Sequence, residues 1–309
     1  MEITVRVAEQ AGVMFLLMAI GFGCRKGGVF TDEFTSKLSW VLLNLVMPAV
    51  ILQSLQMERD EALARGMLWS LVLAIVLQLL SILIARLFTP RKEDARYRVE
   101  RFGAALSNCG FIGLPLTEAV VGPRGTVYAG IFIVVFNFLL FTYGTAMMSG
   151  TRTTPKQVAK IFATPAMIAL AVGLVFFFLS VRLPVIPAQA VSYLSGLNTP
   201  IAMLAAGSYI ARGNLRRIFV TGRLYLLSAV RLLLIPAVSL GILLLLPVER
   251  EVALTMLVLV ACPSPMLVMA LAEKHGSDPV HAAGLIAMTT LLSVISLPLM
   301  VAASAALGI

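Results

Sequence analysis

Charged side chains are scarce in this sequence. Asp, Glu, Lys and Arg make up 13% of the 309 residues, whereas 60% of the residues are apolar and the mean hydropathy is +0.97. A soluble domain carries about a quarter charged residues, so the composition excludes an ordinary soluble protein. No stretch is polar enough over about 100 residues to form a separate soluble domain. We therefore expect the chain to lie almost entirely in a membrane, with its function between the helices.

Residues that bind metals or form disulfides are also few. The chain has two histidines, His275 and His281, and three cysteines, Cys24, Cys109 and Cys262, without paired spacing. This pattern excludes a disulfide framework, a zinc-site spacing and an H-E-x-x-H motif. The aspartates all fall in predicted connections, so no aspartate pair is available for catalysis inside the membrane. We expect neither an enzyme nor a cofactor.

Long apolar runs separated by breakers predict ten membrane spans. A hydrocarbon core of about 30 Å takes about 20 helical residues to cross, and ten such spans with short connections account for most of the chain. The charged segment from Pro90 to Arg101 is expected to form an interfacial helix leading into the fourth span. The predicted spans cover residues 5–24, 38–55, 66–88, 99–121, 126–149, 161–181, 190–211, 218–246, 252–274 and 279–307.

The basic residues of the connections orient the protein. A net charge of +9 can indicate a nucleic-acid partner, but enrichment of Lys and Arg in cytoplasmic loops is the favoured explanation in a polytopic chain. Seventeen basic residues follow odd-numbered spans and six lie on the opposite side, so both termini are expected outside the cytoplasm of a cell membrane. The seventeen are Arg25, Lys26, Lys37, Arg86, Arg91, Lys92, Arg96, Arg98, Arg101, Arg152, Lys156, Lys160, Arg212, Arg216, Arg217, Arg223 and Lys274, and the six are Arg6, Arg59, Arg65, Arg124, Arg182 and Arg250.

The two halves of the chain carry similar strings. Span 2 reads LNLVMPAVIL around Asn44 and span 7 reads LNTPIAMLAAG around Asn198, so the two asparagines are 154 residues apart. Each half holds five spans, an odd number, so a duplicated unit would enter the membrane from opposite sides in its two copies. Inverted repeats of this kind are typical of secondary transporters. We predict a first repeat over residues 1–155 and a second over residues 156–309.

Spans 4 and 9 contain helix breakers at matching depth. Span 4 carries SNCGFIGLP at residues 107–115, and span 9 carries CPSP at residues 262–265. Proline removes a backbone donor and glycine weakens a helix interior. Unwound backbone inside a membrane is tolerated where it lines a cavity or is buried by protein, and the helix ends so created bind anions. The pattern predicts an anion site or a pair of kinked packing helices, and the matched positions favour the site.

These strings resemble the auxin efflux carrier family, which joins plant auxin exporters with bacterial permeases for malate, malonate and related acids. The resemblance rests on SNCGFIGLPL, NTPIAMLAAG and CPSPMLVMALAEKHGSDPVHAAG, and span number and orientation extend it over the whole chain. It implies an all-α membrane fold of ten helices in two inverted five-helix repeats, with broken helices 4 and 9 crossing at the midplane. It also implies an elevator-like shift of helices 3 to 5 and 8 to 10. The resemblance further implies a scaffold of helices 1, 2, 6 and 7 and a homodimer through helices 2 and 7.

The resemblance also assigns residues. Asn108 falls on the family's crossover asparagine, which is expected to touch the substrate carboxylate, and Pro263 falls on the crossover proline of span 9. Plant carriers have a proline where this chain has Ser107, so the break in span 4 must rest on the residues that follow it. The expected substrate-binding residues are Asn108, Cys109, Gly110, Pro263, Ser264, Pro265 and Asn137, and the expected helix-break residues are Ser107, Gly113 and Pro115.

Three charged residues are candidates for gating or coupling. Arg231, inside span 8, could complement the substrate anion or pair with backbone carbonyls near the crossover, but snorkelling of its side chain to the cytoplasmic surface is favoured. Glu118 and Glu273, 155 residues apart, could gate the site or bind protons, although solvation of a helix end is the commoner role. His275 and His281 are expected at the surface.

The sequence therefore predicts a secondary transporter of small organic anions, such as auxin-like or dicarboxylic acids. Its expected partners are the anion, membrane lipid and a second copy of the chain. The competing hypothesis is a membrane sensor that binds the same anion at a broken-helix site without transporting it. A channel is disfavoured because no ring of charges recurs at a shared depth.

Overall fold

The computed structural model describes residues 2–57, 61–89, 95–150, 163–213 and 220–309, and the regular structure within these ranges is entirely helical. Several basic residues used to orient the chain lie outside the described residues, as does the boundary between residues 155 and 156. These are Arg59, Arg91, Lys92, Arg152, Lys156, Lys160, Arg216 and Arg217. The helices are α1 (Glu2–Lys26), α2 (Asp32–Ser54), α3 (Glu61–Phe88), α4 (Ala95–Ala105), α5 (Leu114–Val121), α6 (Pro123–Ser149), α7 (Pro165–Phe178), α8 (Val185–Gly196), α9 (Asn198–Ala211), α10 (Gly222–Leu245), α11 (Arg250–Ala261), α12 (Leu267–Lys274) and α13 (Pro279–Ala306).

Six helical segments of the described chain are long and apolar enough to cross a membrane. They are α2, α3, the segment Arg96–Val121 that contains most of α4 and all of α5, α6, α10 and α13. Each of the ten predicted spans overlaps one or two helices, with α4 and α5 in span 4, α8 and α9 in span 7, and α11 and α12 in span 9. Ten crossings in an inverted arrangement stay a prediction. From Ala95 to Arg101 the segment expected to form an interfacial helix is the first part of α4, and its interfacial position stays a prediction.

Helices α1 and α9 pack with their backbones in direct contact. A Cβ atom added at Gly21 would lie 2.2 Å from the carbonyl oxygen of Leu204, and one added at Gly207 would lie 1.9 Å from the carbonyl oxygen of Met18. No side chain larger than hydrogen fits at either position. Small residues allow such close approach between membrane helices, where dispersion contacts replace the hydrophobic effect as the main force.

Three of the four wide π-helical turns in the described ranges come immediately before a proline-containing helical turn. Leu42–Val46, Cys109–Gly113 and Val230–Leu234 are followed at the second position by Pro48, Pro115 and Pro236. Proline has no N–H, and its ring displaces the carbonyl four residues earlier, so the preceding turn widens to i→i−5 bonding. π turns occur often at functional sites, and residues from the first two of these turns line the cavity described below.

Candidate functional site

The two broken helices meet at their breaks. Helix α4 ends at Ala105 and α11 ends at Ala261, and the backbone is not helical at residues 106–108 and 262–266. The backbone N–H of Asn108 donates a hydrogen bond of 2.8 Å to the carbonyl oxygen of Pro263. A backbone group of one break therefore forms a hydrogen bond with a backbone group of the other, which compensates part of the cost of burying unwound backbone.

The chain resumes its helix directly after Asn108. The carbonyl oxygen of Asn108 accepts from the N–H groups of Ile112 and Gly113, both at 3.1 Å, and thereby begins the π turn that leads into α5. Gly113 packs closely here, because an added Cβ would lie 2.8 Å from Cδ2 of Leu259 and 3.2 Å from the sulfur of Cys262 and would displace these side chains. Pro115 is the second residue of α5, directly after this π turn, and its missing N–H accounts for the wider bonding of that turn.

A cavity of about 280 Å³ opens beside the break in span 4. Its size lies near the lower end of the roughly 300–1,000 Å³ found for pockets that hold drug-sized ligands, which suits a small organic acid. The lining is mostly apolar with a few amide and hydroxyl groups. It includes Ser107, Asn108, Gly110 and Phe111 from the break, Asn44 and Met47 from α2, Asn137 and Thr145 from α6, and Pro265, Met266 and Leu271 from span 9 and α12.

Asn108 supplies an unused donor at this cavity. Its side chain is 2% exposed, and its Nδ2 is buried with no hydrogen-bond partner among the described residues. A buried amide donor without a partner costs free energy, and an acceptor placed beside it would remove that cost. Gly110 and Phe111 of the same lining belong to the first turn after the break, where helical N–H groups lack intrahelical partners. Together they can bind one anionic oxygen or more.

Other expected substrate-binding residues lie outside the cavity lining. Cys109 is buried under the π turn, and Pro263 contributes its carbonyl oxygen to Asn108. Ser264 is fully buried. Its Oγ donates to the carbonyl oxygen of Gly103 at 2.8 Å, and its backbone N–H donates to Oγ1 of Thr289 at 3.2 Å, so both of its donors are already used within the protein. Pro263 and Ser264 bond across the two breaks, Cys109 packs beneath the first, and direct substrate contact by these three residues stays a prediction.

Asn44 lines the cavity although the sequence motifs did not indicate a binding role for it and marked it only as part of the predicted repeat. It lies in the π turn of α2, donates from Nδ2 to the carbonyl oxygen of Trp40 at 2.9 Å and lines the cavity together with Asn137. Its counterpart Asn198 is 1% exposed and does not line this cavity. A polar residue four positions before a proline in an apolar span was the available signal.

The expectation that Arg231 snorkels to the cytoplasmic surface is wrong. The side chain is 1% exposed, and its guanidinium group donates to the ends of both broken helices. Nε donates to the carbonyl oxygen of Cys262 at 3.0 Å, Nη1 to those of Ala105 at 3.2 Å and Ala104 at 3.4 Å, and Nη2 to that of Val260. Each break leaves carbonyl groups without intrahelical partners, and these carbonyls hold Arg231 inside.

The two glutamates named as gating candidates have different surroundings. Glu273 Oε1 lies 3.3 Å from Nη2 of Arg212, whose Nε lies 2.8 Å from Asp32 Oδ1, so the pair joins α12 to α9 and α2. Glu118 borders a second cavity of about 460 Å³. That cavity lies further along α2, where Val50 lines it while Met47 lines the first cavity. About one helical turn, roughly 5 Å, therefore separates the two cavities on α2.

His275 and His281, both expected at the surface, are both partly exposed. The side chain of His281 is 11% exposed, and its Nε2 lies 3.2 Å from Oε1 of Glu100. Oε2 of the same carboxylate accepts from Nε and Nη2 of Arg223 at 2.9 and 2.8 Å. The charged cluster of Glu100, Arg223 and His281 thus connects α4, α10 and α13, and it does not line the cavity.

Comparison with known proteins gives the family. The profile of a family described as "Membrane transport protein" matches residues 7–301, nearly the whole chain. The chain belongs to this family, that of the auxin efflux carriers. Similar proteins of this membrane transport family come from an archaeon and a bacterium. The chain is 29% identical over 296 residues to an "Uncharacterized transporter" of Methanothermobacter thermautotrophicus, covering 93% of this chain and 94% of that protein.

A second relative in the membrane transport family carries a substrate in its name. The chain is 26% identical over 308 residues to the "Putative malonate transporter" of Rhizobium meliloti, covering 95% of this chain and 93% of that protein. The alignments span both breaks and the cavity between them. Family membership and the six long apolar helices together make this chain a multi-pass membrane protein.

Proposed function

We propose that this membrane transport protein is a secondary carrier of small organic anions and that its substrate carboxylate binds in the cavity beside Asn108. The buried Nδ2 of Asn108, which has no partner among the described residues, is the observation that carries the proposal. A substrate oxygen would satisfy it, and the first-turn N–H groups at Gly110 and Phe111 would add charge-assisted bonds. The name of the Rhizobium meliloti relative favours a dicarboxylate such as malonate.

The proposed architecture is ten membrane helices in two inverted repeats, residues 1–155 and 156–309. In support, the hydrogen bond from Asn108 to Pro263 joins residues 155 positions apart, which is within one residue of the 154 that separates Asn44 from Asn198 in the repeated strings. Two equivalent positions can touch only near the axis that relates the two copies. Broken spans 4 and 9 would then cross at the membrane midplane, which is where inverted-repeat transporters bind their substrates.

The proposed mechanism is alternating access. The cavity beside Asn108 and the cavity bordered by Glu118 follow one another along α2, with buried Met47 and Val50 between them. An elevator-like shift of spans 3 to 5 and 8 to 10 against spans 1, 2, 6 and 7 would transfer the site from one cavity to the other. Because the first cavity is bordered by the carboxyl end of α6, it faces the cytoplasm if both termini lie outside. A homodimer through spans 2 and 7 would keep the scaffold fixed.

A binding measurement tests the location of the site. Purified protein in detergent is titrated with malonate, and the shift of the apparent Tm is recorded for the natural protein, for Asn108→Ala and for the control Ser81→Ala. Ser81 donates to the carbonyl oxygen of Leu77 within α3 and does not line the cavity. We expect the malonate affinity to fall about tenfold in Asn108→Ala and to be unchanged in the control. Equal affinity in all three proteins would exclude the proposed site.

A further inference from the structure

Arg231 carries a buried charge that no carboxylate balances within the described part of the chain. Its guanidinium group is 1% exposed, and the hydrogen bonds it donates go to backbone carbonyl oxygens. Transfer of an ion into a membrane interior is costly unless its environment offers compensating charge. The compensation must therefore come from the backbone.

The carbonyl groups that surround Arg231 belong to two helix ends. Ala104 and Ala105 form the end of α4, and Val260 and Cys262 lie at the end of α11. The carboxyl end of a helix carries about half a negative elementary charge. Two such ends together offset about one positive charge, which matches one guanidinium group. Arg231 thus cancels the negative potential at both breaks.

The amino ends that follow the breaks keep their positive potential. The turn that begins at Cys109 and the helix that begins at Leu267 each contribute about half a positive charge, and Gly110 and Leu267 line the cavity. Without Arg231, the carboxyl ends of α4 and α11 would oppose them a few residues away. Ser107, only two residues after Ala105, already lines the cavity. By this count the four helix ends sum to about zero charge without Arg231 and to about one positive charge with it.

We propose that Arg231 is a positioning residue that makes the cavity selective for anions by neutralising the carboxyl ends of α4 and α11. It does not line the cavity and so acts through the backbone and through its charge. The inference rests on the proposed function and extends it, because it assigns the selectivity for charge to a residue that does not touch the substrate. A residue that only braced the two breaks would lower the affinity for every ligand by the same factor.

The test compares two probes of similar shape and different charge. Malonate carries two negative charges at neutral pH, and its monomethyl ester carries one. Their affinities are measured by isothermal titration on the natural protein, on Arg231→Gln and on Arg231→Lys. We expect Arg231→Gln to weaken malonate binding at least about fivefold more than ester binding, because a lost charge acts on both carboxylates of malonate. Arg231→Lys keeps the charge and should keep the ratio of the two affinities.

Two outcomes would overturn the inference. One is an equal loss for both probes in Arg231→Gln, and the other is the same changed ratio in Arg231→Lys as in Arg231→Gln. Gel filtration and thermal unfolding show which variants are folded; if Arg231→Gln does not fold, the ratio in Arg231→Lys decides, since a preserved ratio supports the inference and a lost ratio overturns it. Failure of the natural protein to bind either probe would instead contradict the proposed function itself.

Discussion

The backbone N–H of Asn108 lies 2.8 Å from the carbonyl oxygen of Pro263, so the two broken helices are joined at their breaks. The bond fixes the backbone of Asn108, while the side-chain Nδ2 of the same residue stays without a partner at the cavity. The backbone of Asn108 thus joins the two breaks, while its side chain is available to the proposed ligand. Substitutions in the cavity, at the helix contacts and among the surrounding charged groups are predicted to have distinct effects.

The ion pair between Arg212 and Glu273 is predicted to hold the protein in the conformation described. Glu273→Gln removes the attraction between α9 and α12 but changes overall stability little, because the Glu273 side chain is 47% exposed. We expect a cysteine placed at Ser54, in the second cavity, to react about twofold faster with a membrane-impermeant maleimide in Glu273→Gln, as a lost surface pair of this kind permits. Cys24 is replaced by serine in all proteins compared.

The matched control for that experiment is Glu33→Gln. Among the described residues Glu33 pairs within its own helix, with Lys37 at 2.7 Å, and both side chains are about three-quarters exposed. Labelling at Ser54→Cys should be unchanged in this control. An unchanged labelling rate in Glu273→Gln as well would show that the pair does not restrain the movement between the two cavities.

Glu100 is predicted to matter for stability more than for binding. Its carboxylate accepts from Arg223 and contacts His281, and Glu100→Gln leaves both partners with a neutral amide. Breaking a buried ion pair is costly, but Arg223 is 35% exposed and solvent screens part of the loss. We expect destabilisation of about 2 kcal/mol, measured by thermal unfolding, with malonate affinity preserved in the folded fraction. A malonate affinity that falls together with stability would contradict this separation.

Backbone contact between α1 and α9 is predicted to be indispensable. Gly207→Ala places a Cβ 1.9 Å from the carbonyl oxygen of Met18, so the helices must move apart. We expect a loss of at least about 2 kcal/mol in stability, since overpacking against backbone cannot relax by a rotamer change. Gly241→Ala is the control, because an added Cβ there meets nothing within 4 Å. Equal unfolding temperatures for the two variants would show that the close approach is not required.

Asp278 gives the stability a pH dependence of known sign. Burial alone would raise the pKa of its carboxyl group, but the backbone N–H of His281 and the guanidinium group of Arg96 stabilise the charged form more and hold the pKa below its ordinary value. A lowered folded-state pKa contributes stability that is present above the unfolded-state pKa and is lost as the pH falls through the folded-state value.

The comparison for Asp278 is Asp278→Asn, which keeps an acceptor at the start of α13 but not the charge. We expect the natural protein to unfold at a higher temperature than Asp278→Asn at pH 7, and the difference to shrink as the carboxyl group is protonated toward about pH 2.5. Because Arg96 is half exposed, the difference at pH 7 is expected to stay below about 1 kcal/mol. A difference that does not depend on pH would contradict the assignment of the charge.

The positions of the breaks could be predicted from sequence because their cause is local. Gly110, Gly113 and Pro115 weaken one helix and Pro263 and Pro265 interrupt the other, whatever surrounds them. Asn108 could be predicted as a substrate-binding residue because it lies inside the first break. The predicted and observed breaks agree for this reason, and the cavity lies where the interrupted helices meet.

The surroundings of Arg231 and His281 could not be predicted in the same way. Depth along a span indicates how costly a charge would be, but not which carbonyl groups from other helices are available to it. The partners of Arg231 lie between 29 and 127 residues away in sequence, and Glu100 lies 181 residues from His281. The bond from Ser264 to Gly103 could not be predicted for a related reason, since it depends on how the two breaks pack.

Counterflow in liposomes tests the central claim most directly. Vesicles containing the purified protein are loaded with unlabelled malonate and diluted into a trace of labelled malonate, and uptake of label is followed with time. We predict transient accumulation of label with the natural protein and little with Asn108→Ala, whose folding is checked by gel filtration. Malonate binding by the natural protein without any counterflow would contradict the account and identify the chain as a receptor for the anion rather than its carrier.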